Sequence, residues 1–138
     1  MIGVMPNYSS PTRSCHSFDL PRMCPVSGNP QPGSVLEVWY TADQWFLEIE
    51  SLGEYIASYI GGKQIGRAFI RDMEQTIQQI ARDCAAVAGV QVVCIARLRI
   101  ADDPEVRMRI QPYRVIVRAQ PDSDPCANSV ARNNTKEN

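Results

Sequence analysis

Apolar and polar residues alternate from Leu36 to Tyr40. Leu36, Val38 and Tyr40 fall on one side and Glu37 and Trp39 on the other, which predicts a strand. Upstream, Ser14 to Leu20 reads as a short edge strand, and Trp45 to Ile49 as a second short strand or the approach to a helix. Leu52, Tyr55, Ile56, Tyr59 and Ile60 recur at helical spacing until Gly61-Gly62 stops them. A long helix is expected from Ile65 to Ala88, with the stripe Ile65, Phe69, Met73, Ile77, Ile80, Cys84 and Val87, and Gly89 ends it. Val90, Val92, Cys94, Ala96, Leu98 and Ile100 then alternate with Gln91, Arg97 and Arg99. Ala101 to Pro104 predicts a turn, and Val106, Met108 and Ile110 a further strand. Pro112 is expected to break that ladder. The apolar phase shifts after it to Tyr113, Val115 and Val117, which predicts a bulge or a new strand. Strands with two helices grouped between them imply an α+β fold, its mostly antiparallel sheet covered on one face.

Composition adds the frame. The 138 residues suffice for one domain. Fourteen basic and fifteen acidic side chains leave a net charge of −1, too little field for a protein that coats nucleic acid. Six of the ten prolines precede Gly33, so residues 1–17 read as an extended or irregular arm ahead of a domain at 18–120. Residues 121–138 have no aromatic side chain and are expected to be a disordered tail. No signal peptide is visible, and the most apolar stretch, Ala85 to Ala96, is too short to span a bilayer. Five cysteines without a framework spacing favour a reducing, cytoplasmic setting over a disulfide scaffold.

One segment carries chemistry. In Arg22-Met23-Cys24-Pro25-Val26-Ser27-Gly28-Asn29-Pro30 a thiol sits on a tight turn just before the first clear strand. Neighbouring backbone N–H groups and Arg22 would lower its pKa toward a reactive thiolate; a buried loop cysteine is the plainer alternative. No C-x2-C pair exists, so a structural metal is not expected. Glu48 and Glu50, two apart, either hold a guanine-like edge through two N–H donors or suit the N-terminal dipole of the following helix. A hairpin turning at Ala101 to Glu105 would set Arg99 opposite Arg107 and Arg97 opposite Arg109. Four like charges on one face need counter-charges: Glu37, another subunit, phosphates or open solvent.

Cys24-Pro25-Val26-Ser27-Gly28-Asn29-Pro30 resembles the Cys-Pro-x-Thr/Ser-Gly-x-Pro motif of the 7-cyano-7-deazaguanine reductase family, the nitrile reductases of queuosine biosynthesis. Glu48-Ile49-Glu50-Ser51-Leu52-Gly53-Glu54-Tyr55 is similar to the family's Glu-x-x-Ser-Leu-x-x-Tyr segment, and the likeness covers roughly Phe18 to Gln111. The resemblance implies a tunnelling fold, whose small α+β units assemble as homo-oligomeric rings. It implies Cys24 as the nucleophile that forms a thioimide with the nitrile, Glu48 and Ser51 as substrate-binding residues, and NADPH as hydride donor. It also points to a 7-deazaguanine base as the small-molecule partner, and to tRNA as the partner where that base is carried on tRNA. Three departures from the family's pattern stand out. Gln31 stands where an aspartate is the family's proton donor, and Glu50 and Gly53 stand where lysines meet the cofactor. Ile65-Gly66-Arg67-Ala68 stands where a His-Glu pair anchors the base. The alternatives are an amidinotransferase-like addition of ammonia to the nitrile, as in archaeosine formation, or a catalytically silent binding protein.

Overall fold

The computed structural model describes residues 1–9, 11–101 and 110–121. Its main sheet is antiparallel and ordered β2-β3-β7-β8, built from β2 (Thr12–Asp19), β3 (Val35–Ala42), β7 (Val92–Ala101) and β8 (Ile110–Ala119). Helices α1 (Ile49–Ala57) and α2 (Met73–Ala88) fall in sequence between β3 and β7. Because side chains alternate across a strand, Leu36, Val38 and Tyr40 of β3 share one face with Val92, Cys94, Ala96 and Leu98 of β7. Those residues join Leu52 and Ile56 of α1 and Ile77, Ile80, Ala81 and Cys84 of α2 in one apolar cluster. Each large side chain fully buried there contributes about 1.5–3 kcal/mol. The architecture is therefore α+β, with two helices and mostly antiparallel strands, as the alternation implied. Neither helix is long and apolar enough to cross a membrane.

The extended N-terminal segment is built into the fold. Strand β1 (Val4–Pro6) pairs with β4 (Trp45–Leu47), and Ile2 is buried in the core. The expected tail from 122 onward lies outside the described residues.

The long helix starts eight residues later than its apolar stripe implied. Lys63–Ile65 (β5) and Ala68–Ile70 (β6) form a hairpin instead. Its turn sets Gly66 at φ 59°, a left-handed conformation that a helix interior does not use. Ile65, Phe69 and Met73 are spaced like a helix stripe only because two hairpin positions precede a helix start. Asp72 makes that start: its carboxylate accepts the Gln75 N–H at 2.7 Å and caps α2. Lys63 holds the hairpin down, its ammonium 4.7 Å and 4.6 Å from the Tyr55 and Tyr59 rings.

Pro112 does not break the ladder. β8 runs through it opposite Arg99, since an edge strand has one unpaired side and tolerates a missing donor. Tyr113, Val115 and Val117 do take the phase expected of them, facing the same side as Leu98, Ala96 and Cys94. The expected arginine pairing is replaced. Arg97 stands opposite Arg114 and Arg99 opposite Pro112, while Arg107 and Arg109 lie outside the described residues. Glu37 supplies one counter-charge, 2.9 Å from Arg97.

His16 on β2 is half-buried, with Nε2 3.1 Å from the Tyr40 hydroxyl, which also accepts the Leu47 N–H. Burial pushes its pKa below the ordinary value. Below the unfolded value of about 6.5 the unfolded chain binds a proton that the folded one resists, so stability falls as pH drops through that region. The urea midpoint of the native protein should fall more between pH 7 and pH 5.5 than that of His16→Gln. Parallel shifts in the two proteins would remove His16 from the account.

Candidate active site

The Cys24 loop leaves β2 after Leu20 and is tied at its base. The Met23 and Cys24 N–H groups both donate to the Asn29 carbonyl at 3.0 Å, and Gly28 N–H donates to the Cys24 carbonyl at 2.8 Å. Gly28 sits at φ 71°, which closes the turn at no steric cost. The loop is then stitched to the end of β7. Asn29 Oδ1 accepts the Ala101 N–H at 2.9 Å, and its Nδ2 donates to the Ala101 carbonyl at 3.2 Å. That amide pairs with Ala101 as another strand residue would. Gln31 N–H donates to the Arg99 carbonyl at 2.7 Å, and the Ser34 hydroxyl accepts the Arg99 N–H at 2.8 Å.

So braced, Cys24 is partly exposed and lines a cavity of about 260 Å³ with Ser27, Asn29, Arg71, Asp72, Met73, Glu74, Ile100 and Tyr113. The size suits a small heterocycle. Hydrogen bonds from the Ser27 hydroxyl and the Ser27 backbone N–H lower the thiol pKa, helped by the Val26 N–H and the Arg71 charge. The other described thiols differ. Cys84 and Cys94 are buried and pushed up, Cys94 to about 12, and burial also raises exposed Cys15. Among the described residues no three His, Cys, Asp or Glu side chains cluster as a metal centre requires.

Two anticipated site residues lie elsewhere. The Glu48 carboxylate caps α1, accepting the Ser51 N–H at 2.8 Å and the Glu50 N–H at 2.9 Å. Ser51 Oγ accepts the Gly3 N–H at 2.8 Å and donates to the Glu48 carbonyl at 3.1 Å. Both are engaged in starting the helix and in holding the N-terminal segment, and neither lines the Cys24 cavity. Gln31 is 7% exposed and turned into its own loop, with Nε2 donating to the Gly28 carbonyl at 3.1 Å and to Asn29 Oδ1 at 3.0 Å. It braces the turn and is not a wall of the cavity.

Arg71, Glu74 and Tyr113 are the groups that sequence reasoning missed. Asp72 followed three residues later by Gln75 was the available signal, because that spacing marks a helix start and places 71 and 74 beside it. Tyr113 arrives through the β7–β8 register, and its hydroxyl donates to Glu74 Oε2 at 2.7 Å.

The chain matches no known family model and no curated protein.

Proposed function

We propose that the protein captures a 7-cyano-7-deazaguanine-type nitrile covalently through Cys24. The observation that supports this most is an acid-shifted, accessible thiol on a braced turn at the wall of a cavity of heterocycle size. The Cys24 thiolate adds to the nitrile carbon: an S–C bond forms, one C≡N π bond opens, and the nitrogen takes a proton from solvent, leaving a thioimide. No leaving group is needed. A thiol kept reduced for this purpose suits the cytoplasm.

NADPH is the hydride donor the family resemblance implies, but the residues at the matching segment do not fit it. Glu50 and Glu54 are exposed on α1, Gly53 lies between them, and the last turn of α1 has no basic residue. A polyanionic cofactor needs cations or free N–H groups there. Gln31, turned inward, supplies no acid to the cavity. That placement favours a second reading, a binding protein that holds the base without reducing it. Under either reading we infer a tunnelling-fold ring. Among the described residues β2 and β8 are the outer strands of the sheet, and pairing them between copies in a ring would remove the liability of an exposed edge.

Intact-protein mass spectrometry after incubation with 7-cyano-7-deazaguanine should show one adduct. It should be absent from Cys24→Ala and present in Cys84→Ala. Adding NADPH should leave the adduct in place, with turnover far below the order of 1 per second of an ordinary enzyme. Absence of any adduct on the native protein rejects covalent capture. Brisk NADPH consumption with release of the aminomethyl product rejects the charge argument.

A further inference from the structure

We propose that the open face of the main sheet binds a single-stranded nucleic acid, with its arginines on the phosphates and its apolar side chains against the bases. The assignment is independent of the chemistry at Cys24.

The helices pack on one face of the sheet, and the register defines the other. Residues directly opposite in antiparallel strands point to the same side. Arg13 of β2, Arg97 and Arg99 of β7, and Arg114 and Arg118 of β8 therefore share the face on which β3 sets Glu37 and Trp39. All five arginines are exposed. Arg97 stands directly opposite Arg114, where like charges repel. Glu37 answers Arg97 in the one ion pair among the described residues.

The net charge hides this arrangement. The described residues hold nine carboxylates, and six of them lie on α1, α2 or their caps. Of the nine, Asp19 and Glu37 alone lie on the arginine face of the strands. The chain is near neutral as a whole and basic on one side. A polynucleotide meets several guanidiniums in one binding event, and each phosphate neutralised releases a condensed counterion from it.

The apolar positions choose the kind of nucleic acid. Four strands make the face about 14 Å wide, and Arg118 to Pro112 makes it about 20 Å long. Trp39, Val93, Ile95 and Ile116 lie among the guanidiniums, Ile116 at 56% exposure. Arg13 is layered on Trp39, its guanidinium carbon 5.4 Å from the ring centroid. Unpaired bases stack on aromatic rings and guanidinium planes of this kind, whereas a duplex keeps its base faces stacked on one another.

Fluorescence anisotropy with labelled oligouridylate and oligothymidylate of about 12 residues, and with a duplex of the same length, tests this. Both single strands should bind the native protein at low salt, at least about tenfold more tightly than the duplex. The contacts are to phosphates and base planes, which RNA and DNA share. The double variant Arg114→Gln/Arg118→Gln alters two exposed side chains outside the core. It should weaken single-strand binding at least about tenfold and flatten the slope of log affinity against log salt by about 1.4. Trp39→Leu should weaken binding about fivefold or more and leave that slope unchanged. Arg82→Gln, on α2, should bind as the native protein does. Iodoacetamide alkylation of Cys24 at the native rate in each variant shows the fold intact. Failure of both single strands to bind at low salt overturns the proposal, as does native affinity in the double variant. Equal affinity for the duplex, or displacement of the oligonucleotide by inorganic polyphosphate at equal phosphate concentration, also overturns it, since either outcome means that the bases make no contact.

Discussion

A thiol-selective alkylating reagent should modify Cys24 first and leave Cys84 and Cys94 untouched while the protein stays folded. The reactive species is the thiolate, and an ordinary cysteine keeps a few per cent of it at neutral pH. Hydrogen bonds from Ser27 and the nearby Arg71 charge raise that share at Cys24. Cys94, pushed up to about 12 by burial, keeps about 10⁻⁵ of it at pH 7. The ionised fraction alone separates the two sites by about 10³ or more, before blocked access is counted. Cys84 is held still higher by burial. Cys15, exposed on β2 but shifted up by burial and by Glu37, should follow Cys24 slowly. Peptide mapping over time, in a Cys126→Ser background, measures all four rates. Cys84 or Cys94 reacting at a rate comparable to Cys24 would mean that the core opens far more readily than its packing implies. Ser27→Ala should slow Cys24 alone and move its alkylation profile to higher pH.

Gln31→Glu should destabilise the protein by about 2–4 kcal/mol at pH 7, although it changes one atom group. The Gln31 amide nitrogen donates to two acceptors, the Gly28 carbonyl and Asn29 Oδ1, from a buried position. A carboxylate there loses both donors, meets two oxygens at hydrogen-bond distance and carries a charge out of water. Its folded-state pKa would be raised, so the protonated form is favoured on folding and stability is lost as pH rises from the ordinary carboxylate range up through that raised value. Thermal unfolding should show a fall in Tm on the order of 10 °C at pH 7 and a smaller one at pH 4. A variant as stable as the native protein at pH 7 would place the side chain outside the loop. The same geometry bears on chemistry, because an acid introduced at position 31 faces the loop and not the cavity.

Much of the frame was legible because the core strands are covered on one face. Leu36, Val38, Tyr40 and Val92, Cys94, Ala96, Leu98 alternate cleanly for that reason. The hairpin at 63–70 was hidden by Ile65 and Phe69, whose spacing from Met73 imitates a helix stripe although Phe69 is 54% exposed. Propensity has no means of separating the two; the Asp72 cap and the Gly66 turn decide it. Among candidate site residues Cys24 was legible from its turn chemistry. Glu48 was legible only as one of two alternatives, and it is the cap in this fold. Arg71 and Tyr113 both line the Cys24 cavity through tertiary approach, from a helix start and an outer strand that sequence spacing does not relate. Register was the other blind spot: alternation alone leaves the pairing of β7 and β8 open, and Arg97 stands opposite Arg114.

The ties at the base of the Cys24 loop divide its labour. Asn29, Gln31 and Ser34 bond to the end of β7 or to the loop itself, whereas Pro25 and Val26 at the tip are exposed, Val26 at 74%. Foldability is thus invested in one half of the segment and ligand contact in the other. Drift at the tip can retune what the thiol meets while the framework stays constant, whereas drift at the base is felt by the whole sheet. A lineage carrying this loop is free to explore new ligands through positions 25 and 26 long before it is free to lose Asn29.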